Sequence, residues 1–283
     1  MGTLYLVGTP IGNLEDITMR ALRVLREVAL IAAEDTRQTR KLLTHFDIHT
    51  PLVSYHEHNQ RTAGPYLIER LSAGEDVALV TDAGMPAISD PGEDLVRLAL
   101  AAGIPVVPVP GPTALITALV ISGLPTDRFA FEGFLPTKKK DRQERLAELK
   151  RERRTWIIYE APHRLLGTLE DLQRELGDRP MAAARELTKI HEEVVRGTPA
   201  QLLQHFQQHP PRGEFVLVVE GAAGGTAAEK GQAPAEDLAQ AVAELERQGI
   251  DRKTAMRQVA ERTGRSRREV YQAVLAAKEA ESE

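Results

Sequence analysis

The feature that most constrains this fold is a repeated alternation of short apolar runs with longer stretches of helical periodicity. Leu4–Val7, Leu30–Ala33, Val77–Val80 and Val106–Val109 are nearly unbroken apolar quartets. They are too short for helices and suited to strands buried on both faces. Between them, residues 19–27, 38–46, 61–73 and 93–102 carry apolar side chains at helical spacing, and 113–122 continues as a further helix. Such alternation predicts an α/β fold built on a parallel sheet. Past Pro125 the pattern resumes, with strands expected at 129–134, 156–159, 181–185 and 215–219 and helices at 140–150, 163–176 and 199–208. Residues 221–234 are rich in Gly and Ala, lack periodicity and read as a linker. Only helices follow, at 235–248, 252–263 and 266–277. The expected organisation is an α/β domain over 1–124, a second over 125–222, a linker over 223–234 and a helical tail over 235–283.

Composition narrows the chemistry. The chain has no cysteine, which excludes disulfides, thiolate metal sites and a cysteine nucleophile. No apolar run approaches the roughly 20 residues of a membrane span. The first residues lack a basic region followed by an apolar stretch, so a cytoplasmic location is expected. A net charge of −5 conceals basic clusters at 138–154 and 252–268. An acidic protein can bind nucleic acid through such local patches, although solvated helix faces carry similar charge.

The unusual residues sit where strands are expected to end. Gly8-Thr9-Pro10-Ile11-Gly12-Asn13 follows the first quartet, residues 81–92 (TDAGMPAISDPG) follow the third, and Pro110-Gly111-Pro112-Thr113-Ala114 follows the fourth. Glycine lets backbone approach a ligand closely, and proline fixes a loop without offering an amide. Turn chemistry accounts for any one of these loops; three at matching strand ends point to a ligand crevice. None is a P-loop or a Gly-x-Gly-x-x-Gly fingerprint, which removes the usual support for nucleotide hydrolysis and dehydrogenation. Tyr55-His56-Glu57-His58-Asn59 places two imidazoles on alternate positions, but no third ligand at helical spacing accompanies them. Substrate hydrogen bonding suits that segment better than a metal. Glu160 and Glu186 each stand at an expected strand end in the second half, where an ion-pair partner and a catalyst look alike.

Together these motifs resemble the tetrapyrrole methylase superfamily. Residues 7–14, 33–37, 55–59, 159–164 and 185–189 are similar to its branch of ribosomal RNA small subunit methyltransferases I. The resemblance spans residues from about Leu4 to Glu220, and the helical tail is similar to one found on that branch. It implies a two-domain, class III methyltransferase fold, usually a homodimer, with S-adenosylmethionine between the domains. By the same resemblance, Pro10, Ala83, Gly84, Met85, Ile88, Thr113, Ala114, Glu160 and Leu187 contact the cofactor. The implied activity is 2′-O-methylation of a cytidine ribose in the decoding region of 16S rRNA. Tetrapyrrole-modifying members carry Gly-Asp-Pro where this chain has Gly84-Met85-Pro86, which disfavours a tetrapyrrole-like substrate. A ligand-sensing nucleic-acid-binding regulator is the other alternative, supported only by the tail's resemblance to a helix-turn-helix.

A ribose hydroxyl is a poor nucleophile while protonated, so a general base or a nearby cation would help. Asp35 is the preferred candidate for the base, with Lys189, Glu186 and His56 as further catalytic candidates. Arg37, Asn59, Lys138, Lys139, Arg142, Arg265 and Arg268 are the candidate contacts to RNA, and no metal is expected.

Overall fold

Five short strands open the structure, a computed structural model that describes residues 1–222, 235–263 and 267–280. Strands β1 (Leu4–Val7), β2 (Leu30–Ala33), β3 (Leu52–Ser54), β4 (Val77–Val80) and β5 (Val106–Val109) form an all-parallel sheet in the order β3-β2-β4-β1-β5. Alternate residues of each strand face opposite layers. Ala78 and Val80 meet the apolar residues of α1 (Met19–Glu27) and α2 (Thr36–His45). Val77 and Leu79 meet those of α3 (Gln60–Ser72) and α4 (Glu93–Ala101). Every residue of β2 and β4 is buried, which explains their unbroken apolar character. Each fully buried Val or Leu contributes about 1.5–3 kcal/mol.

The strand order opens a crevice. From β1 the chain crosses to β2 on one side, and from β4 it crosses over β1 to β5 on the other. The loops after β1 and β4 therefore leave neighbouring strand ends in opposite directions. Helix α5 (Ala114–Ser122) begins just after β5, capped by the Thr113 hydroxyl, which accepts from the Ile116 amide.

A second, mixed sheet follows. Its strands are β6 (Phe129–Phe134), β7 (Thr155–Glu160), β8 (Met181–Arg185), β9 (Glu193–Gly197) and β10 (Phe215–Val219), in the order β6-β7-β10-β8-β9. Only the β6–β7 pair is parallel. Helices α6 (Lys139–Leu149), α7 (Pro162–Leu176) and α8 (Pro199–Gln208) cover one face around Trp156, Phe206 and Phe215. On the other face, Ile157, Ala184, Val216 and Val218 pack against Ala118 and Leu119 of α5. Helix α5 thus continues the first sheet in sequence but packs on the second. Ile11 and Leu187 join the same cluster, so loops from both sheets are drawn together.

Strands β3 and β9 were not expected. Each lies at a sheet edge: β3 has three residues, and β9 mixes Glu193 and Arg196 with two valines, so neither shows a clean apolar pattern. Helix α2 starts two residues early because the Asp35 carboxylate accepts from the Arg37 amide and caps it. A 3₁₀ turn, Leu14–Asp16, follows the loop expected at residues 8–13.

The residues up to Gly221 form one compact unit and those from Ala222 another. In the latter, α9 (Ala235–Arg247), α10 (Arg252–Thr263) and α11 (Arg267–Ala280) share a small core of Leu238, Val242, Ala255, Val259, Val270 and Val274. The expected linker at 223–234, and the turn containing Arg265, lie outside the described residues. No helix among the described residues is long and apolar enough to cross a membrane.

Candidate active site

The loops after β1, β4 and β5 are locked together by their backbones. Thr9 and Gly84 exchange both amide hydrogen bonds, at 2.9 and 3.1 Å, as an isolated antiparallel bridge. The buried Thr9 hydroxyl donates to the Thr81 carbonyl at 3.1 Å. Gly8 and Gly111 are in direct contact: a Cβ on Gly8 would lie 2.8 Å from the Gly111 Cα, and one on Gly111 would lie 2.9 Å from Gly8 backbone atoms. Glycine at both positions is what allows two strand-end loops to touch.

Beside this junction lies a cavity of about 580 Å³, within the range of small-molecule sites. The first sheet's side supplies Ile11, Glu34, the 82–85 and 88–90 segments and residues 113–116 at the start of α5. The second sheet's side supplies Phe134, residues 159–162, Ala184, Glu186, Leu187, Lys189 and residues 214–216. Backbone strain concentrates in its loops. Ala87, Ser89, Glu186 and Thr188 all have positive φ between 49° and 69°, a conformation L-residues avoid. Strain of this kind persists where surrounding structure imposes it, commonly at binding sites.

The cavity is acidic. Burial, followed by the charge of Asp82, raises the Glu34 carboxyl above its ordinary value. Asp82 is raised mainly by its own burial. Asp90 is pushed up to about 7, by burial first and then by Glu34 and Asp82. Opposite them Lys189 extends its ammonium to Glu186 at 3.0 Å. Burial alone would raise Glu186, but the Lys189 hydrogen bond and the Glu214 amide hold it below its ordinary value. Glu160, with a fully buried side chain, accepts from the Thr168 hydroxyl at 2.6 Å and the Ala161 amide at 2.8 Å, with the Arg164 guanidinium 3.2 Å away. Tyr159 stacks edgewise on Phe131 and Phe134 at 4.9 and 5.7 Å, forming an aromatic wall. A largely anionic cavity with an aromatic side suits a cationic ligand that also carries a flat ring.

The structure brings Ala83, Gly84, Met85, Ile88, Thr113, Ala114, Glu160 and Leu187 to this cavity, along with the catalytic candidates Glu186 and Lys189. Pro10 is not in its lining, where its neighbour Ile11 stands instead. Nor is Asp35. Its carboxylate caps α2 and pairs with Arg37 at 2.7 Å, and the Arg37 hydrogen bonds pull it down to about 2. A carboxylate held so low is a weak proton acceptor, and the structure places Asp35 at the α2 cap, outside the cavity lining. Arg37 is extended into solvent but tied to that cap. His56 lies outside the lining, with its Nδ1 buried and without a hydrogen-bond partner. The Asn59 side chain is engaged locally, accepting from the His56 amide at 2.8 Å and donating to the Ser54 carbonyl at 3.0 Å, and so closes a turn.

Among the basic candidates, Lys138 and Lys139 are exposed at the start of α6, four and five residues past cavity-lining Phe134. Arg142 is different. Its Nε donates to the buried carboxylate of Asp171 at 2.7 Å and its side chain is 15 % exposed, so it holds the fold and is not offered to RNA. Arg265 falls outside the described residues, and Arg268 lies in α11.

Asp171 also sets a pH dependence. Burial opposes its ionisation, but Arg174 and Arg142 together hold its carboxyl below the ordinary value. A depressed folded value stabilises the protein above the ordinary carboxylate range and loses that contribution as pH falls through the folded value. Asp171→Asn is expected to cost roughly 1.5–3 kcal/mol at pH 7. In urea unfolding, its deficit against wild type should shrink between pH 5 and pH 3; a constant deficit would refute the assignment.

Residues 3–203 match the family described as Tetrapyrrole (Corrin/Porphyrin) Methylases. The fold agrees: uroporphyrin-III C-methyltransferase from Thermus thermophilus, solved as a complex with S-adenyl homocysteine, superposes with a TM-score of 0.55 at 22 % identity. That match covers 77 % of this chain and 97 % of that one. Two curated relatives are much more similar. The ribosomal RNA small subunit methyltransferase I of Synechocystis sp. is 52 % identical over 97 % of this chain and 98 % of its own length. The protein of that name from Pseudomonas aeruginosa is 56 % identical over 78 % of this chain and 79 % of its own. The chain belongs to the tetrapyrrole methylase family and, within it, to the ribosomal RNA small subunit methyltransferases I.

Proposed function

We propose that this protein transfers a methyl group from S-adenosylmethionine to the ribose 2′-hydroxyl of a cytidine in the decoding region of 16S rRNA. Its 52 % identity to a named small-subunit rRNA methyltransferase, over nearly the full length of both chains, carries the reading. The cavity fits the donor chemically. A sulfonium and an amino group are cations, and Glu34, Asp82 and Asp90 supply carboxylates in the lining. Loop backbone around Gly84 and the start of α5 can approach the donor closely, and Tyr159 with Phe134 gives a ring a surface to pack on. The two sheets act as two halves that enclose the donor, which supplies an already activated methyl group. The remaining task of the protein is to align the acceptor oxygen, and alignment can provide much of the rate.

This reading also takes the protein to act in the cytoplasm, as a pair of copies, on RNA within the small subunit. Ile116 and Val120 of α5, 41 % and 65 % exposed, offer such a pair an apolar surface. Labelled methyl from S-adenosylmethionine should appear in small subunits lacking the modification, as one 2′-O-methylcytidine after nuclease digestion and mass spectrometry. Transfer to a base, or to no RNA, would reject the reading.

Lys138 and Lys139 are expected to take phosphates of the same RNA. Replacing both by Ala should weaken RNA binding and reduce the salt dependence of log K by roughly 1.5–2, about one phosphate contact each. An unchanged slope in filter-binding titrations would remove them from the interface.

A further inference from the structure

An RNA acceptor brings a negative phosphate with each nucleotide, and the donor cavity is itself anionic. Glu34, Asp82 and Asp90 line it, and its lysine, Lys189, is held by Glu186 at 3.0 Å. Phosphates flanking the target ribose are repelled from such a cavity and need cations outside its lining. We propose that the exposed face of α2 supplies them. Arg40 and Lys41 take phosphates of the substrate RNA beside the target nucleotide, a role that rests on the methyltransferase reading of the cavity.

Thr36, Arg37, Arg40, Lys41, Thr44 and His45 line an open groove of about 620 Å³ along α2. The groove begins at the cavity rim. Glu34, two residues before Thr36, lines the cavity, and the Asp35 amide donates to cavity-lining Asp82 at 3.2 Å. The groove residues themselves are absent from the cavity lining. Thr39, Leu42 and Leu43 form the buried stripe of α2, which turns the cations outward. Arg37 and Lys41 stand one turn apart, about 6 Å along the helix axis, with Arg40 beside them.

What distinguishes this face is its lack of counter-charge. Exposed cations on other helices meet a carboxylate one turn away: Arg23 pairs with Glu27 at 2.7 Å on α1, and Arg97 with Glu93 at 3.8 Å on α4. On α6, Lys140 faces Glu144 and Arg145 pairs with Glu148. Helix α2 contains no acidic residue, in a chain of net charge −5. Asp35 neutralises Arg37, but Lys41 reaches only the neutral Gln38 side chain, at 2.9 Å. Arg40 has no ion pair among the described residues. Like charges one turn apart destabilise a helix, as does a cation in its first turn. The arrangement works against the fold and suits an anionic partner. Exposed guanidinium and ammonium groups beside threonine hydroxyls are the groups that grip a phosphate backbone without reading its bases. Carboxylates inside the cavity and cations outside it sort the two ligands by charge, the sulfonium inward and the phosphates outward.

The test replaces Arg40 and Lys41 together by Ala. A control combining Arg23→Ala with Arg97→Ala removes the same charge from α1 and α4. Binding to small subunits lacking the modification is followed in filter titrations over a series of salt concentrations at fixed magnesium. The Arg40→Ala/Lys41→Ala variant should raise Kd roughly 10–50-fold at about 0.1 M salt and reduce the salt slope of log K by about 1.4–1.8, the share of two phosphates. The control should keep the wild-type slope. Arg40→Lys with Lys41→Arg keeps both charges and should restore it. Donor affinity by calorimetry and the melting temperature should match wild type in every variant, because both side chains are exposed and outside the donor cavity. An unchanged slope in the Ala variant, an equal loss in the control, or a parallel fall in donor affinity would each overturn the proposal. Wild-type protein that neither binds nor methylates small subunits would instead bring down the reading on which the proposal rests, and the proposal with it.

Discussion

Gly111→Val is expected to abolish measurable binding of S-adenosylmethionine, with the dissociation constant raised at least about 100-fold, while the protein still folds. The Cβ of any residue at 111 would stand 2.9 Å from the carbonyl carbon, Cα and oxygen of Gly8. These are backbone atoms tied to β1, where the Gly8 amide donates to the Val109 carbonyl at 3.1 Å. They have no rotamer to change, so the loops must part. Overpacking of this kind typically costs about 1–3 kcal/mol for a small group and more for a branched one. The displaced loop opens the helix α5 that supplies residues 113–116 to the cavity, so the damage falls on the donor site. Gly111 does not adopt positive φ, and the substitution therefore tests space rather than backbone conformation. A series of Ala, Ser and Val at 111, followed by calorimetric titration with the donor and by thermal melts, should show affinity falling with side-chain size. Near-wild-type affinity in the Val variant would mean that the glycine contact does not shape the site.

Glu160→Ala should have the largest effect on stability. The carboxylate is buried, and its removal leaves the Thr168 hydroxyl, the Ala161 amide and the Arg164 guanidinium without the acceptor they share. Breaking a buried charge pair from one side costs about 3–5 kcal/mol. For a unit of this size that lowers Tm by roughly 6–20 °C. Glu160→Gln keeps an acceptor for Thr168 and should lose less. Scanning calorimetry distinguishes the two variants, and a Glu160→Ala melting point within 2 °C of wild type would contradict the packing described. The residue lines the donor cavity as well, so donor affinity is expected to fall with stability.

Much of the architecture was legible because glycine and proline punctuate the strand ends. The loops after β1, β4 and β5 stood out as the most unusual segments of the chain, and they do converge. What stayed hidden was what depends on strand order. Glu34 and Asp90 are far apart in sequence and meet only because β2 and β4 are neighbours in the sheet, which local pattern does not encode. Glu34 and Asp35 are neighbours in sequence but part in space: Glu34 turns into the cavity, while Asp35 turns to cap α2. Arg142 misled for a similar reason. It sits in a basic run that reads as solvated, but Asp171, on α7, reaches it across the helix pair and buries it. Phe134 was read as a strand residue only and Tyr159 as the start of a motif at a strand end; their side chains form the aromatic wall because β6 and β7 pair. Strand β9 escaped because an edge strand needs no continuous apolar face.

The central claim is that the cavity lined from both sheets holds the methyl donor. The most direct test is a crystal structure of the full chain grown with S-adenosylhomocysteine. The account predicts the ligand against the 83–85 loop, Thr113–Ala114 and Leu187, in contact with residues of both sheets. A ligand bound at saturating concentration anywhere else on the protein would contradict it.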